Sequence, residues 1–153
     1  MNIEELYRRH AQDVYRFAYW LCGDRTEAED VVSDTFLAAW TSSTRPQVST
    51  VKAYLLVIAR HVVLKRRRRA KPHAALQADL ADKSAGPERL AEQRDELTAA
   101  MTALQALPEA DRAALLLRAQ QDLPYEEIAR VLGVSVSAAK VKVHRARIKL
   151  AAR

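Results

Sequence analysis

The stretch EEIARVLGVSVSAAKVKVHRAR, residues 126–147, decides the fold of the C-terminal part of the chain. It contains one glycine, Gly133, between two segments whose apolar residues recur at helical spacing. A glycine here favours the left-handed turn that ends a helix, and Ser135 is a typical N-cap for the helix that follows. The pattern therefore predicts a helix-turn-helix. Its inward-facing side chains are expected to be Ile128, Ala129, Leu132, Val134, Val136, Ala139, Val143, Ala146 and Leu150.

The second helix of this motif lacks acidic residues, since no Asp or Glu follows Glu127. A recognition helix in the major groove needs small residues near the base edges and cations beside the phosphates. We therefore favour DNA binding over the alternative of a helical hairpin with a basic exterior. His144 has no second ligand three or four residues away, so it does not indicate a metal site. The expected outer side chains are Ser137, Ala138, Lys140, Lys142, His144, Arg145, Arg147 and Lys149.

The rest of the chain has the composition of a helical protein. Of its 153 residues, 49% are hydrophobic and 29% are charged, with only three glycines and five prolines. Thr26, with Glu29 three residues later, is the expected N-cap of the second helix. A polar loop is expected at 41–50, and a linker containing the Gly86-Pro87 pair at 73–90. Before the last helix, apolar spacing predicts helices over 3–22, 26–40, 51–71, 91–107, 108–120 and 124–132.

Cysteine content and hydropathy narrow the class of protein. The only cysteine, Cys22, excludes an internal disulfide framework and a cysteine-rich zinc site, and no cofactor is expected. We expect Cys22 to be buried in the first helix rather than to sense redox state. No apolar run approaches the roughly 20 residues of a membrane span, and the N-terminus has no apolar signal core, so a soluble, cytoplasmic protein is expected. Phe17, Phe36 and Trp40 are expected to pack in the core rather than to contact bases.

Charge is distributed in blocks along the chain. Residues 51–73 contain eight Lys or Arg, residues 128–153 contain seven, and neither block contains an Asp or Glu. Solvated helix faces usually mix both signs, so two surfaces that contact one polyanion are the better interpretation. Each basic block follows an acidic one. We therefore hypothesise that the acidic linker and the acidic helix 26–40 shield the basic faces when the chain is free.

The N-terminal basic block continues an amphipathic helix, AYLLVIARHVVLKRRRRAK at residues 53–71. A polybasic run alone also occurs in solvated tails and in membrane-surface patches. Here the helix holds the cations in register along one rod, which suits a row of phosphates. Tyr54 and His61 add rings that can stack on bases.

Three segments occur in a familiar order: YRRHAQDVYRFAYWLCGDRTEAEDVVSDTFLAAW (7–40), AYLLVIARHVV followed by four arginines (53–69), and the region from Leu97 to Arg153. Together they resemble the extracytoplasmic-function (ECF) class of bacterial RNA polymerase sigma factors. The resemblance covers nearly the whole chain apart from the linker. It implies an all-α fold of two small helical domains joined by a flexible linker, the second containing the helix-turn-helix. The corresponding limits are 1–72, 73–92 and 93–153.

The resemblance also implies roles for individual residues. The helix 26–40 would bind the clamp helices of the polymerase core through Asp30, Ser33, Asp34 and Leu37. The loop 41–50 and the helix after it would melt and read the −10 promoter element through Tyr54, Arg60, His61, Leu64, Lys65 and Arg68. The last helix would read the −35 element through Ser135, Ser137, Ala138, Lys140, Lys142 and Arg145. The linker would thread the nucleic-acid channels of the core.

The sequence departs from the family pattern at a few of these positions. His61 stands where Asn is frequent, and Lys65 stands where Asp or Asn is frequent. Ser33 replaces a common Gln, and the pair Ala138-Ala139 replaces a frequent Thr-Val pair. These departures concern promoter bases and one core contact, so no promoter consensus is transferred to this chain.

The resulting expectation is a transcription initiation factor, not an enzyme, whose partners are the RNA polymerase core, promoter DNA and an anti-sigma factor. No small-molecule substrate is expected. The alternative is a polymerase-independent helix-turn-helix DNA-binding transcriptional regulator. A metal-dependent enzyme is disfavoured because the acids of helix 26–40 have no accompanying histidine cluster. An interaction protein whose basic segments bind an acidic partner overlaps with the sigma-factor interpretation.

Overall fold

A computed structural model describes residues 2–42, 48–70 and 88–152 of the chain. These residues form seven α-helices and one π-helical segment, and no helix among them is long and apolar enough to cross a membrane. The helices are α1 (Ile3–Cys22), α2 (Arg25–Thr41), α3 (Val51–Ala70), α4 (Glu88–Gln105), α5 (Glu109–Leu115), α6 (Tyr125–Leu132) and α7 (Val136–Ala151), and the π-helical segment Leu116–Gln120 follows α5.

A tight turn joins α1 to α2. Gly23 adopts the left-handed conformation, with φ of 81°, and its amide donates to the Tyr19 carbonyl. The side chain of Asp24 then accepts a hydrogen bond from the Glu27 amide at 2.9 Å. The prediction that Thr26 caps α2 was therefore wrong. Asp24 lies two residues before Thr26 and its carboxylate accepts from a first-turn amide, so the helix begins at Arg25.

The N-terminal half is a core of three helices in which α1, α2 and α3 pack pairwise against one another. Phe17 and Phe36 are buried in it, as predicted. The prediction for Trp40 was wrong, because 68% of this residue is exposed. Trp40 belongs to the last turn of α2, close to Leu37, which is also exposed. The end of α2 thus carries an apolar surface that the described part of the chain leaves open.

Cys22 ends α1 and is buried, as predicted. Its thiol lies 3.4 Å from the Asp24 carbonyl oxygen. Burial raises the pKa of this thiol to about 12. Because the thiolate is the reactive form, burial suppresses the reactivity of this side chain, which packs as part of the core.

The C-terminal half contains α4 to α7. Pro108 precedes α5, and the helix widens after Leu115 because the Gln121 amide bonds to the Leu116 carbonyl, five residues back, at 3.0 Å. The extent of this helix agrees with the sequence pattern, but the wide turn was not anticipated. Gly133, with φ of 68°, separates α6 from α7, and the Ser135 side chain accepts from the Ala138 amide at 3.0 Å. The helix-turn-helix is confirmed.

The two halves pack against each other. Helix α1 contacts α4, α5 and the π-helical segment, and α3 contacts α6, so buried residues of both halves form one continuous cluster. Most of the linker expected at 73–92 lies outside the described residues, and α4 already begins at Glu88. The limits 1–72, 73–92 and 93–153 remain a prediction.

The contact between the halves includes the C-terminal end of α1, whose last carbonyls have no partners within the helix. Arg112 of α5, which is 3% exposed, donates to the Leu21 carbonyl at 2.6 Å and to the Leu107 carbonyl at 2.9 Å. Gln105 of α4 donates to the Trp20 carbonyl at 3.0 Å. Burial lowers the pKa of Arg112, but an arginine keeps its charge in proteins. The positive charge therefore complements the negative end of the α1 dipole.

We expect the two left-handed glycines to differ in their sensitivity to substitution. Gly133→Ala should lower the free energy of unfolding by about 1 kcal/mol. The left-handed backbone strains an alanine, but its Cβ would have no neighbouring atom within 4 Å. Gly23→Ala should cost about 2–3 kcal/mol, because the new Cβ would also lie 3.2 Å from Cδ of Gln105, which hydrogen bonds hold in place. Urea unfolding followed by circular dichroism measures both. Equal losses would show that Gln105 moves without cost.

Candidate nucleic-acid interface

The residues expected to contact partners lie on three helices, α2, α3 and α7. On α2, Asp30, Ser33 and Leu37 are exposed and Asp34 is half-buried. They therefore share one accessible surface. Between α2 and α3 lies a groove with a volume of about 500 Å³. Its lining residues are Asp34, Leu37, Ala38, Thr41, Val62, Lys65, Arg66 and Arg69.

The acids on α2 are partly balanced within the chain. Arg66 of α3 contacts Asp34 Oδ2 through Nη2 at 2.9 Å and through Nε at 3.2 Å. It also lies 3.6 Å from Asp30. Sequence reasoning interpreted the acidity of this helix only as a complement to a basic partner and missed Arg66. The pairing links α2 to α3. Leu37 and Trp40 remain exposed apolar residues on α2.

On α3, the expected nucleic-acid contacts differ in accessibility. His61, Lys65 and Arg68 are exposed, whereas Tyr54 and Leu64 are half-buried. These five residues lie in the helix that carries the basic block, as expected. The exposed members offer a basic surface for a phosphate backbone.

Arg60, the sixth expected residue on α3, has a partner inside the chain. Its guanidinium binds the Glu109 carboxylate through Nη2 at 2.7 Å and through Nε at 3.0 Å. The Arg60 side chain is 14% exposed. It is therefore not available to nucleic acid in this arrangement. The sequence contains no local signal for this pair, because its members are 49 residues apart and on different halves.

On α7, Ser137, Lys140 and Arg145 are exposed and Ala138 and Lys142 are half-buried. Arg145 lies 3.2 Å from Asp111 of α5. The side-chain oxygen of Ser135 serves as the helix cap. The residues expected at the −35 element thus share one helix, and its first turn is fixed by Ser135.

The outer face of α7 is not purely small, polar or basic, contrary to the expectation. Val141 is 51% exposed and Ile148 is 54% exposed. These residues lie seven positions apart, so they project from the same side of the helix, two turns from each other. Their seven-residue spacing is visible in the sequence, but both residues lie off the buried stripe, so an apolar outer surface was not predicted.

Two hydrogen bonds join the start of α3 to the C-terminal half. The Ser49 amide donates to Glu127 Oε1 at 2.6 Å, and the Lys52 ammonium donates to the Gln121 carbonyl at 2.9 Å. Burial alone would raise the pKa of Glu127, but hydrogen bonds from Ser49 and Arg130 hold the pKa below its ordinary value. Of the expected −10 loop, residues 43–47 lie outside the described ranges. The end of that loop is therefore anchored by an ionised carboxylate.

The arrangement does not resemble a metal centre. Over 2–42, 48–70 and 88–152, no three His, Cys, Asp or Glu side chains cluster so that they could hold a metal ion. His144 is exposed on α7, among basic and apolar neighbours. The chemistry that the described part of this surface offers is charge, hydrogen bonding and stacking.

Comparison with known proteins identifies both halves. The family model described as Sigma-70 region 2 matches residues 6–73, and the model described as Sigma-70, region 4 matches residues 97–150. The ECF RNA polymerase sigma factor SigE of Mycolicibacterium smegmatis is 34% identical over 96% of this chain, which spans 59% of that relative. The ECF RNA polymerase sigma factor SigM of Bacillus subtilis is 30% identical, with 99% of this chain and 94% of the relative covered.

A solved structure shows the same arrangement of helices. CnrH, in complex with the cytosolic domain of CnrY, matches with a TM-score of 0.72 and 28% sequence identity. The match covers 98% of this chain and 85% of CnrH. The likeness therefore includes both halves and not the helix-turn-helix alone.

Two serines on α7 should respond differently to replacement by alanine. Ser135→Ala removes the side-chain cap on the Ala138 amide, so the free energy of unfolding should fall by about 1 kcal/mol. Ser137→Ala, at an exposed position in the first turn of the same helix, should change it by less than about 0.5 kcal/mol. Urea unfolding of both variants measures the difference. If the two variants are equally stable, the cap contributes nothing to the fold.

Proposed function

The chain belongs to the ECF sigma factors, which are transcription initiation factors, and from this premise we propose that three of its surfaces divide the work of promoter-directed initiation. The observation that carries the proposal is the presence of two acid-free cationic helices, α3 and α7, on separate halves of one chain. A single short DNA site would need only one of them. Two elements at a fixed distance on the promoter need both.

The first surface, on α2, binds the clamp helices of the polymerase core through Asp30, Ser33, Asp34 and Leu37. The proposal is supported by the 58% exposure of Leu37 and the groove beside it. An exposed leucine beside a groove that also contains Ala38 and Val62 is typical of a protein-binding surface. Trp40, which is 68% exposed one turn further along α2, extends the same surface.

The second surface, on α3, opens and reads the −10 element. Its proposed contacts are Tyr54, Arg60, His61, Leu64, Lys65 and Arg68. A base taken out of the duplex would be held between the loop before α3 and the helix, while the cations bind phosphates of the separated strand. Strand opening is then driven by these contacts and not by a chemical step. The factor therefore acts as a specificity subunit and not as an enzyme.

The third surface, on α7, reads the −35 element in the major groove. Its proposed contacts are Ser135, Ser137, Ala138, Lys140, Lys142 and Arg145. Support comes from the cap at Ser135, which fixes the N-terminal turn that enters the groove, and from the exposed Ser137, Lys140 and Arg145. Because one chain links the two DNA-binding halves, binding of one half raises the effective concentration of the other at its element.

Regulation by a protein partner belongs to the same proposal. CnrH is solved in complex with the cytosolic domain of a second protein, CnrY. We propose that an anti-sigma factor binds this chain in a comparable way, in the cytoplasm where polymerase acts. The exposed apolar residues Leu37, Trp40, Val141 and Ile148 offer such a partner contacts on both halves.

Core binding can be tested with two exposed leucines. Leu37→Arg should weaken binding to bacterial core RNA polymerase by at least about tenfold, because it places a charge at the centre of the proposed contact. Leu97→Arg is the matched control, since Leu97 of α4 is 55% exposed and lies outside the proposed surface. Co-elution in size-exclusion chromatography and a competition titration measure both variants beside the unchanged chain. Substitution at Asp34 is a poorer test because it also breaks the bond to Arg66.

Two outcomes of that experiment would contradict the proposal. Equal losses for Leu37→Arg and Leu97→Arg would remove α2 as the core-binding surface. No co-elution of the unchanged chain, together with tight duplex binding by the chain alone, would favour the polymerase-independent regulator instead.

DNA recognition can be tested by selection from randomised sequence. Core polymerase with the unchanged chain should enrich DNA that contains two blocks at a constant separation. Combined Lys140→Ala and Lys142→Ala should weaken enrichment of the upstream block, because α7 loses two of the cations proposed to hold it at that element, and should leave the downstream block in place. Sequencing of the bound pool measures both. Loss of the downstream block alone would show that α7 does not read the −35 element.

A further inference from the structure

We propose that Val141 of α7 is a specificity-determining residue, which reads the 5-methyl group of a pyrimidine in the major groove of the upstream promoter element. The inference rests on the proposed function of α7 and deepens it by naming the chemical group that is recognised. The −35 contacts expected from the sequence are two serines, one alanine and three basic residues, and Val141 is not among them.

Val141 lies opposite the buried side of its helix. Ala139 and Val143, which are 0% and 1% exposed, belong to the core through which α7 packs on α5 and α6. Val141 is two residues from each of them, and two residues correspond to a rotation of about 200° around a helix. The side chain therefore points away from the rest of the protein, and Val141 is 51% exposed.

Basic residues flank Val141 on both sides. Lys140 and Lys142 are its neighbours in the chain, and they lie about 100° around the helix from it, in opposite directions. Lys140 Nζ is 5.8 Å from the centroid of the Tyr125 ring at the start of α6, the first helix of the helix-turn-helix. That helix crosses the DNA backbone in a bound helix-turn-helix. When phosphates on either side bind these cations, the residue between them faces the base edges.

The chemistry of valine restricts which base it can favour. Its side chain has no hydrogen-bond donor or acceptor, so it cannot pair with the polar groups that bases present in the major groove. The apolar group presented there is the 5-methyl group of thymine. Contact between this methyl and Val141 removes apolar surface of both from water, whereas contact with a polar edge would displace water from that edge without replacing its hydrogen bonds. Val141 therefore favours thymine, and it favours 5-methylcytosine over cytosine for the same reason.

Ile148 is a matched apolar residue on the same side of α7. It is 54% exposed and lies seven residues after Val141, which places it about 10 Å further along the helix. The base contacts of a recognition helix come from its N-terminal residues, and the major groove is only about 12 Å wide. Val141, in the second turn, is within that part of the helix, whereas Ile148, near its C-terminal end, is not. Replacement of Ile148 is therefore the control for loss of an exposed apolar side chain.

The experiment uses the full chain with core polymerase and changes one methyl group at a time. Selection from randomised DNA is run in parallel with thymine and with uracil in the pool, which locates the position in the upstream block where enrichment depends on the methyl group. Synthetic duplexes of the enriched sequence then carry thymine or uracil at that position alone. A second pair carries 5-methylcytosine or cytosine there. Competition titrations compare the two members of each pair for the unchanged chain, Val141→Ser and Ile148→Ser.

With the unchanged chain, the methylated member of each pair should bind about fourfold more tightly, the factor that corresponds to burial of one methyl group. Val141→Ser should bring both ratios close to one, because the hydroxymethyl side chain is shorter and polar. Ile148→Ser should leave both ratios unchanged. Val141→Thr keeps one of the two methyl groups of valine and should give intermediate ratios. All three substitutions are at exposed positions, so circular dichroism should show unchanged helicity.

Equal enrichment of the upstream block in both pools, or equal binding of the two members of each pair, would overturn this inference and leave Val141 as a contact for a protein partner only. Ratios that persist in Val141→Ser, or that fall equally in Ile148→Ser, would also overturn it, since the methyl effect would then come from another residue or from DNA shape. A pool without any enriched upstream block would overturn the proposed function of α7 and this inference with it. An enriched block without a methyl effect would overturn this inference alone.

Discussion

The arrangement of the whole chain depends on which donors bind the unpaired backbone carbonyls at the C-terminal end of α1. This helix carries no basic residue in its last turn, so its final carbonyls take their donors from elsewhere. Arg112 and Gln105 supply them from the C-terminal half, and Arg67 supplies a further one from α3. Because α1 also packs on α2 and α3, the interaction that completes one helix fixes the position of both halves.

The basic residues of this protein therefore fall into two classes, those that stabilise the fold and those that are exposed to solvent. Arg112 is buried and structural, whereas Lys65 and Arg68 are exposed and face solvent. Arg60 shares features of both classes. It forms an ion pair with Glu109, and it lies on the helix proposed to read the −10 element. Net charge alone does not separate these classes. The partner of each cation does, and it decides which cations a nucleic acid can reach.

Apolar spacing located the described helices to within three residues at each end, and local signals placed Gly133 and Ser135 correctly. These features depend on neighbours within one or two turns, which a sequence displays directly. The errors at Thr26 and Trp40 and the pairing of Arg60 have another origin. Each depends on competition between nearby groups or on residues far along the chain. The sequence therefore predicted which helices carry the candidate site, but not which of its side chains are already engaged.

The buried thiol of Cys22 has a consequence for signalling. With a pKa raised to about 12, on the order of one molecule in a hundred thousand carries the thiolate at pH 7, and Cys22 is the one cysteine in the sequence. Oxidants react with thiolates, so burial strongly slows any reaction of Cys22 with them. A response to oxidation that uses this factor is therefore expected to reach it through a protein partner and not through Cys22.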